Sequence, residues 1–387
     1  MMKRLALVLL AAAATATPLE GIPAFARKYG VSCAMCHDPI PKLNPYGELF
    51  LANGYALAPG DTTGATSAGD PLLVMSSTFP IAMRLDAYLR AQGGQNVRTD
   101  FQTPYVVKIL SGGPLARNVS YYVYMVLAED GAIGPLEDAN VTFSELFGAP
   151  LSVTVGQFQI IDPLWKRELR ITLEDYAILK QSPGSSSANL TYDRGLMVGF
   201  DPTSTTSIVA ELVNGNGIDA AGAGGTFDED SPKTGFLAVM QDVGAFRLSL
   251  LGYYGNQEFT PTGGSAVTNR TRMIGPAVSA RFGAIDIGAQ YLYRDDSDPD
   301  FLGGAPAEVS TRGGFAEVNW WPRGRSGRWL VTGLFNSVNS STPGLDYESG
   351  SLNLSWLYGR NLRLASEFTY DLVVERGSLA LGLVTAF

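Results

Sequence analysis

Three side chains near the N-terminus could do chemistry that the rest of the chain cannot. Cys33 and Cys36 are the only cysteines, and His37 is the only histidine of 387 residues. They form one run, Cys33-Ala34-Met35-Cys36-His37. Two thiols three positions apart, followed at once by an imidazole, read as c-type haem attachment. The thiols can form thioethers to the two vinyl groups of one haem, and the adjacent imidazole then reaches the iron. Competing uses fit less well. Two cysteines in an exported chain suggest a disulfide. A thioredoxin-type pair needs a βαβ setting, whereas these flanks are rich in Pro and Gly. Structural zinc takes four ligands, usually Cys or His, and this chain offers three. The expected cofactor is therefore one covalent haem c on Cys33 and Cys36, with His37 as the proximal iron ligand.

With no second histidine, bis-His ligation is excluded. A methionine in the sixth position would raise the potential. Met35 lies inside the attachment loop and cannot easily swing across the haem plane. Met75, 38 residues beyond His37, is the candidate distal ligand; a linker methionine without a ligand role is the other reading. Met197 and Met273, on the lumen-facing register of later strands, are reserves.

The elements around these residues set their context. Lys3 and Arg4 precede an apolar core, Leu5 to Ala14, too short to span a bilayer. Small-x-small sites follow at Ala14-Thr15-Ala16 and Ala24-Phe25-Ala26. This is the layout of a signal peptide within residues 1–26, cut after 16 or 26. Residues 27–59 form the small helical haem segment, with a helical turn from Glu48 to Ala52 stopped at Asn53-Gly54. A core that small needs the haem to complete it. Residues 60–78, with the run GDTTGATSAGD, are a polar linker.

Residues 79–387 carry a different pattern. Charged residues make up 17% of the chain, against about 25% in ordinary globular domains. Glycine reaches 44 copies and Tyr plus Phe 35 (17 and 18). No later stretch has the ~18 apolar residues of a spanning helix, which excludes a helical membrane bundle. A net charge of −9 argues against a nucleic-acid partner. Segments of about ten residues alternate apolar with polar, the signature of a membrane β-barrel. Ile285, Ile287, Tyr291 and Tyr293 alternate with Asp286, Gly288, Gln290 and Arg294. Sixteen candidate strands lie near 80–90, 101–111, 118–128, 137–146, 151–159, 193–201, 206–213, 234–241, 245–256, 271–281, 284–294, 312–321, 328–337, 347–357, 362–371 and 376–387.

Short turns such as Gly148-Ala149-Pro150 and Asp242-Val243-Gly244 alternate with longer polar loops at 160–192, 214–233, 257–270 and 295–311. That is the outer-membrane arrangement. Trp320, Trp321, Trp329 and Trp356 fall at the short-turn ends, where an interfacial girdle belongs. The alternating end Leu379 to Phe387 resembles the assembly signal of bacterial outer-membrane barrels. An exported soluble β-sandwich would alternate in the same way, but no blade-like repeat argues for a propeller. The expected fold is an all-β transmembrane barrel of about sixteen antiparallel strands, preceded by a small α-helical monohaem cytochrome c domain acting as its plug. Such a barrel has an aqueous lumen. Loop 160–192 is long enough to fold inward and constrict it; an extra hairpin is the alternative. Acidic groups at Glu129–Asp130, Asp228–Asp230 and Asp295, Asp296, Asp298 and Asp300 could dock a metal ion or simply be solvated.

The N-terminal string resembles the fused cytochrome–porin family of outer-membrane iron oxidases. The residues that carry the likeness are Pro23-Ala24-Phe25-Ala26-Arg27, Gly30, the motif at 33–37, Pro41, Leu43, Gly47, Phe50 and Gly54-Tyr55. About 35 residues are covered. The resemblance implies an electron conduit in the outer membrane of a Gram-negative bacterium, in which one haem takes electrons from extracellular Fe(II). A periplasmic carrier of cytochrome or cupredoxin type would receive them, with outer-membrane lipid around the barrel and the haem domain on the periplasmic side. A diffusion porin with a structural or sensory haem, and a soluble periplasmic cytochrome with a β accessory domain, are the alternatives. Whether the chain is an enzyme, an iron:cytochrome c oxidoreductase, stays open.

Overall fold

The computed structural model describes residues 24–58, 61, 69–70, 80–93, 97–222, 224–260, 265–302 and 308–387, with 65–66 and 75–76 described by backbone alone. The signal-like segment before Ala24 lies outside the described residues, as do the side chain of Met75 and most of the linker. Two short helices come first, α1 (Ala24–Tyr29) and α2 (Pro45–Ala52), flanking a 3₁₀ turn at Cys33–Met35. A two-residue ribbon follows, β1 (Ala65–Thr66) against β2 (Met75–Ser76).

Sixteen strands then close into one antiparallel barrel. They are β3 (Ile81–Gln92), β4 (Arg98–Ala116), β5 (Val119–Glu129), β6 (Leu136–Phe143), β7 (Leu151–Gln159), β8 (Tyr192–Thr203), β9 (Thr206–Val213) and β10 (Thr234–Val243). The second half is β11 (Phe246–Phe259), β12 (Val267–Phe282), β13 (Ile285–Asp296), β14 (Val309–Trp320), β15 (Trp329–Ser340), β16 (Tyr347–Gly359), β17 (Leu362–Asp371) and β18 (Arg376–Ala386). Each strand pairs with its sequence neighbour, and β18 closes on β3 with Leu381 opposite Leu89. Closure leaves no unpaired edge strand.

The alternation read from the sequence sorts the two faces. On β13, Asp286, Gln290, Leu292, Arg294 and Asp296 are buried inside, while Ile285, Tyr291 and Tyr293 are exposed outside. Leu237, Leu250, Ile274, Leu352 and Phe368 likewise stand exposed on the outer face. Apolar side chains on the outer face, with charged and amide side chains buried inside, are the inverse of a water-soluble β protein.

The girdle holds with one exception. Trp329 and Trp356 approach with ring centroids 6.2 Å apart, Tyr358 stands 5.8 Å beyond, and Trp320 is exposed. Trp321, expected beside them, turns inward: it is 2% exposed and packs with Ile171 and Leu330. The alternation itself requires this, because adjacent strand-end residues point to opposite faces.

Loop 160–192 enters the barrel and forms no hairpin. Two 3₁₀ turns, Arg167–Leu169 and Ala177–Lys180, shape it. Leu164, Tyr176, Ile178 and Leu179 join a core lined by Phe236, Leu251, Leu292, Phe315 and Leu334 of the wall. Gly288 makes room for it: a β-carbon there would stand 2.7 Å from the Trp165 ring. The Trp165 indole then donates to Gln290 Oε1 at 3.0 Å. Wall side chains also hold the loop's backbone. Glu367 accepts from the Leu173 and Glu174 N–H groups at 2.7 and 2.8 Å, and Asn336 accepts from Ala177 N–H at 3.1 Å. A loop buried in this way must have its backbone groups paired.

Candidate functional site

The motif is held by a compact set of backbone and side-chain bonds. Cys33, Ala34 and Met35 make the 3₁₀ turn, and the His37 N–H donates to Cys33 O at 2.9 Å. Asn44 is the clamp. Its Oδ1 caps α2 by accepting from Gly47 N–H at 2.9 Å, and its Nδ2 donates to Met35 O at 3.1 Å. Its own N–H donates to Cys36 O at 2.9 Å. Asn before Pro45 is a good N-cap followed by a good first helical residue. The helix begins at Pro45, about one turn before the expected Glu48, because Asn44 caps it. Gly47 allows the helix to lie on the motif: a β-carbon there would fall 2.2 Å from Cys36 O.

Both thiols are free and unpaired with each other. Burial pushes both up from their ordinary range, which disfavours the thiolate. Reactive redox cysteines sit in electropositive surroundings that lower the pKa, so the thioredoxin-type use gains nothing here. The His37 ring lies within hydrogen-bond distance of the Pro41 carbonyl, 3.1 Å from Nδ1. Burial lowers its pKa and outweighs the pull of the Pro41 and Lys42 carbonyls, which favours the neutral imidazole. With Nδ1–H donating to Pro41 O, Nε2 is the nitrogen left for a metal, the second-shell arrangement usual for ligating histidines.

These three residues open onto one cleft. Phe25, Tyr29, Ile40, Leu43, Phe50 and Leu57 line its N-terminal side, and Ala82 and Leu110 its barrel side. Phe25 stacks on Tyr55 at 5.4 Å, and Tyr55 in turn stacks on Tyr122 of β5 at 5.0 Å. Those contacts carry the N-terminal segment onto the inner wall at the short-turn rim. Arg281 reaches Glu48 at 2.5 Å and Arg325 reaches Asp38 at 3.2 Å, both from short-turn ends. Polar groups meet the cleft mainly at its inner end, where Lys108, Lys166 and Glu168 stand with Tyr124. Two of these come from the inward loop.

The remaining candidates scatter. Met197 and Met273 face inward as expected but pack in the apolar core around Phe236 and Tyr253, and neither lines the cleft. Among the described residues, Met35 and Met83 are the methionines that border it. Of the acidic loop groups, Asp296 is fully buried against Arg294, and Asp228 pairs with Lys233. No cluster of three or more His, Cys, Asp or Glu able to hold a metal ion occurs among the described residues. Lys108 and Tyr122 were missed in the sequence, where alternation marks them as lumen-facing and nothing marks them as neighbours of residue 37, whereas Lys166 and Glu168 lie in the loop expected to fold inward.

No family model matches the chain, and no curated protein is similar in sequence. Solved structures are similar in shape. OmpT, an outer membrane protein of Vibrio cholerae, superposes with a TM-score of 0.57 at 9% identity, over 83% of this chain and 99% of its own. An anion-selective porin from Comamonas acidovorans gives 0.57 at 11% identity, over 79% and 98%. Salmonella typhi OmpF, in complex with daunomycin, gives 0.52 at 9% identity, over 79% and 97%. At such identities the likeness is one of architecture: the chain has the sixteen-stranded fold of these outer-membrane barrels.

Proposed function

We propose that this chain is an outer-membrane electron conduit, built as a porin-fold barrel whose N-terminal segment carries one covalent haem c. The observation that carries the reading is the cleft. Cys33, Cys36 and His37 face an apolar space closed by helix α2, the barrel wall and the inward loop. The donor set fits the group: two free thiols at thioether spacing, and an imidazole whose Nδ1 is engaged and whose Nε2 is left over. Bound there, the haem iron supplies a one-electron Fe(III)/Fe(II) couple. The chain's own residues do the rest. Asn44 and Gly47 fix the motif against α2. Phe25, Phe50 and Leu57 keep water from the buried face, which with axial ligation is how a protein sets such a potential. The inward loop narrows the lumen between the cleft and the long-loop mouth. Met75 is the proposed distal ligand.

The short-turn rim, which carries the N-terminal segment, faces the periplasm in this reading, and a cytochrome or cupredoxin docks there. The long loops face outward toward a donor. Resemblance to the iron-oxidising cytochrome–porins makes that donor Fe(II). A diffusion porin with a structural or sensory haem is the second reading, favoured by the barrel's likeness to solved porins.

Stopped-flow mixing of detergent-solubilised, haem-loaded protein with Fe(II) under anaerobic conditions tests the first reading. Reduced c-type bands should appear rapidly and vanish in His37→Ala. A haem that dithionite reduces and iron does not would move the assignment to the porin, whose solute conductance in planar bilayers would then be substantial.

A further inference from the structure

The cleft that holds Cys33, Cys36 and His37 is apolar over most of its wall, and its charged side chains gather at one end. Among the described residues that line it, the cations besides His37 are Arg84, Lys108 and Lys166, and the acid is Glu168. Strand register fixes their depth. Ala82 faces Leu110 across β3 and β4, and the next inward-facing pair, two residues farther from the short-turn rim, is Arg84 with Lys108. Lys166 and Glu168 come from the inward loop. Arg84 Nη1 donates to Glu168 O at 3.2 Å, which joins loop and wall at this depth.

These groups are not equally spent. Arg84 is engaged, with two nitrogens on Asp86 at 2.9 and 2.6 Å. Lys166 bonds Asp162 and lies 5.5 Å from the centre of the Tyr122 ring. Lys108 meets Glu137 only at 3.7 Å, too long for a hydrogen bond, and lies 5.0 Å from the centre of the Tyr124 ring. Its side chain is 12% exposed. Glu168 turns Oε1 to the Tyr192 hydroxyl, leaves Oε2 bare and bonds neither lysine. An ammonium carries three donors, so both lysines keep donors for an acceptor inside the cleft.

The chemistry of haem c matches this division. Its two vinyl groups and its two propionates stand on opposite edges of the macrocycle. Thioethers at Cys33 and Cys36 would fix the vinyl edge near the rim, where Arg325 of a short turn meets Asp38, the neighbour of His37. The propionate edge is then directed to the deep end. A carboxylate buried there needs charged donors, and a few placed polar groups are what orient a ligand in an apolar pocket. We propose that Lys108 and Lys166 bind the haem propionates, with Lys108 as the principal contact. The assignment rests on the haem reading and gives the inward loop a second anchor, the cofactor. It leaves the thioether edge at the short-turn rim, where a periplasmic carrier would meet it.

The test uses full-length, haem-loaded protein in detergent. In Lys108→Met a propionate loses its counter-charge, which favours Fe(III). At a fixed solution potential the Fe(III):Fe(II) ratio, read against redox dyes, should rise by roughly fivefold or more. Lys108→Arg should restore the parent ratio. The resonance Raman band of the propionate bend reports hydrogen bonds at those carboxylates. It should move in Lys108→Met and hold its place in Lys233→Met, whose cation pairs with Asp228 on a long loop. Heat-modifiable gel migration and haem content check that each variant is folded and loaded; should Lys108→Met load no haem, Lys108→Gln takes the same two measurements. An unmoved propionate band in the loaded variant overturns the site even if the potential falls, because a lysine acting at a distance would change the potential alone. A parent protein without covalent haem overturns the haem reading and this assignment with it. A Lys108-dependent band in a protein that Fe(II) does not reduce keeps the propionate site and loses the conduit.

Discussion

On the far wall, from β12 to β17, the buried carboxylates Asp296, Glu317 and Glu367 are satisfied by neighbouring side chains, although Arg270 Nε and Arg363 Nε have no partner. Asp296 accepts from Asn269 at 3.1 Å, from Thr271 at 2.7 Å and from Arg294 Nε at 2.6 Å. Glu317 accepts from Asn319 and from Tyr176 of the inward loop, at 2.5 and 2.9 Å. Glu367 accepts from Asn353 at 2.9 Å besides holding the loop backbone. From β6 to β9 the same alternation places Asp138 and Glu211 inside, and Oδ2 of Asp138 and both carboxylate oxygens of Glu211 stay bare. Identical strand geometry thus serves two ends. One wall is a scaffold whose polar groups are spent on anchoring the loop. The other leaves acceptors open to whatever enters the lumen.

The largest test of this contrast is Arg294→Met. Arg294 is 1% exposed, binds Asp296 through two nitrogens, and donates to the Gln181 and Ala188 carbonyls of the inward loop. Removing it strands a buried aspartate, which costs about 3–5 kcal/mol. Denaturant unfolding of vesicle-inserted protein should show that loss. A loss below ~1 kcal/mol would mean that the scaffold wall tolerates bare carboxylates too, and the contrast would fail.

Asp175 comes next. Burial pushes its carboxyl up, but Arg170 and Arg167 outweigh burial and hold it well below the usual range. A depressed folded value has a definite sign. Its stabilisation is complete above the unfolded value near pH 4 and is lost only as pH falls through the much lower folded value. The inward loop should therefore stay anchored at about pH 3.5, where ordinary surface carboxylates are largely protonated. Asp175→Asn should weaken the anchorage by about 2 kcal/mol at neutral pH. Proteolysis within 160–192, followed against pH, reads both; equal cleavage of parent and variant at pH 7 would refute the assignment.

How much of this was legible beforehand follows from what each feature depends on. The sixteen strands were readable because inward and outward faces are written locally, residue by residue, in the period of two. The motif Cys33-Ala34-Met35-Cys36-His37 was readable because the cysteines and the histidine occur nowhere else. Trp321 was misplaced by treating Trp320 and Trp321 as one interfacial pair when the same period separates them. The bare carboxylates of β6 and β9 were invisible for another reason. Acidic groups were sought in the long loops, where charge clusters catch the eye, yet Asp296 and Asp228 there are already paired. Whether Glu211 has a donor depends on Met197 and Phe236, fourteen residues before and 25 after it, and on a loop folded across the lumen. Sequence spacing does not report that.

The rim contacts should matter less than either wall. Glu48 and Arg281 meet at 2.5 Å but remain more than one-third exposed. Exposed pairs of this kind contribute ~0.2–1 kcal/mol and weaken with salt. Glu48→Gln should leave the N-terminal segment seated and lower stability only within that range, with the difference vanishing at high salt. Opening of the pore to solutes in this variant would assign the rim a latching role that the contact geometry does not require.

The smallest effect is the most informative. Glu211→Gln replaces an unpartnered buried carboxylate with a neutral group of the same shape, so no hydrogen bond and no ion pair is broken. Its unfolding free energy should match the parent within ~0.5 kcal/mol or exceed it, since the carboxyl has no partner to lose. That is the opposite of Arg294→Met, although both residues are buried, inward-facing and on the same kind of strand. If Glu211→Gln instead destabilises by more than ~1 kcal/mol, Glu211 has a donor in solution. The open wall would then be a second scaffold.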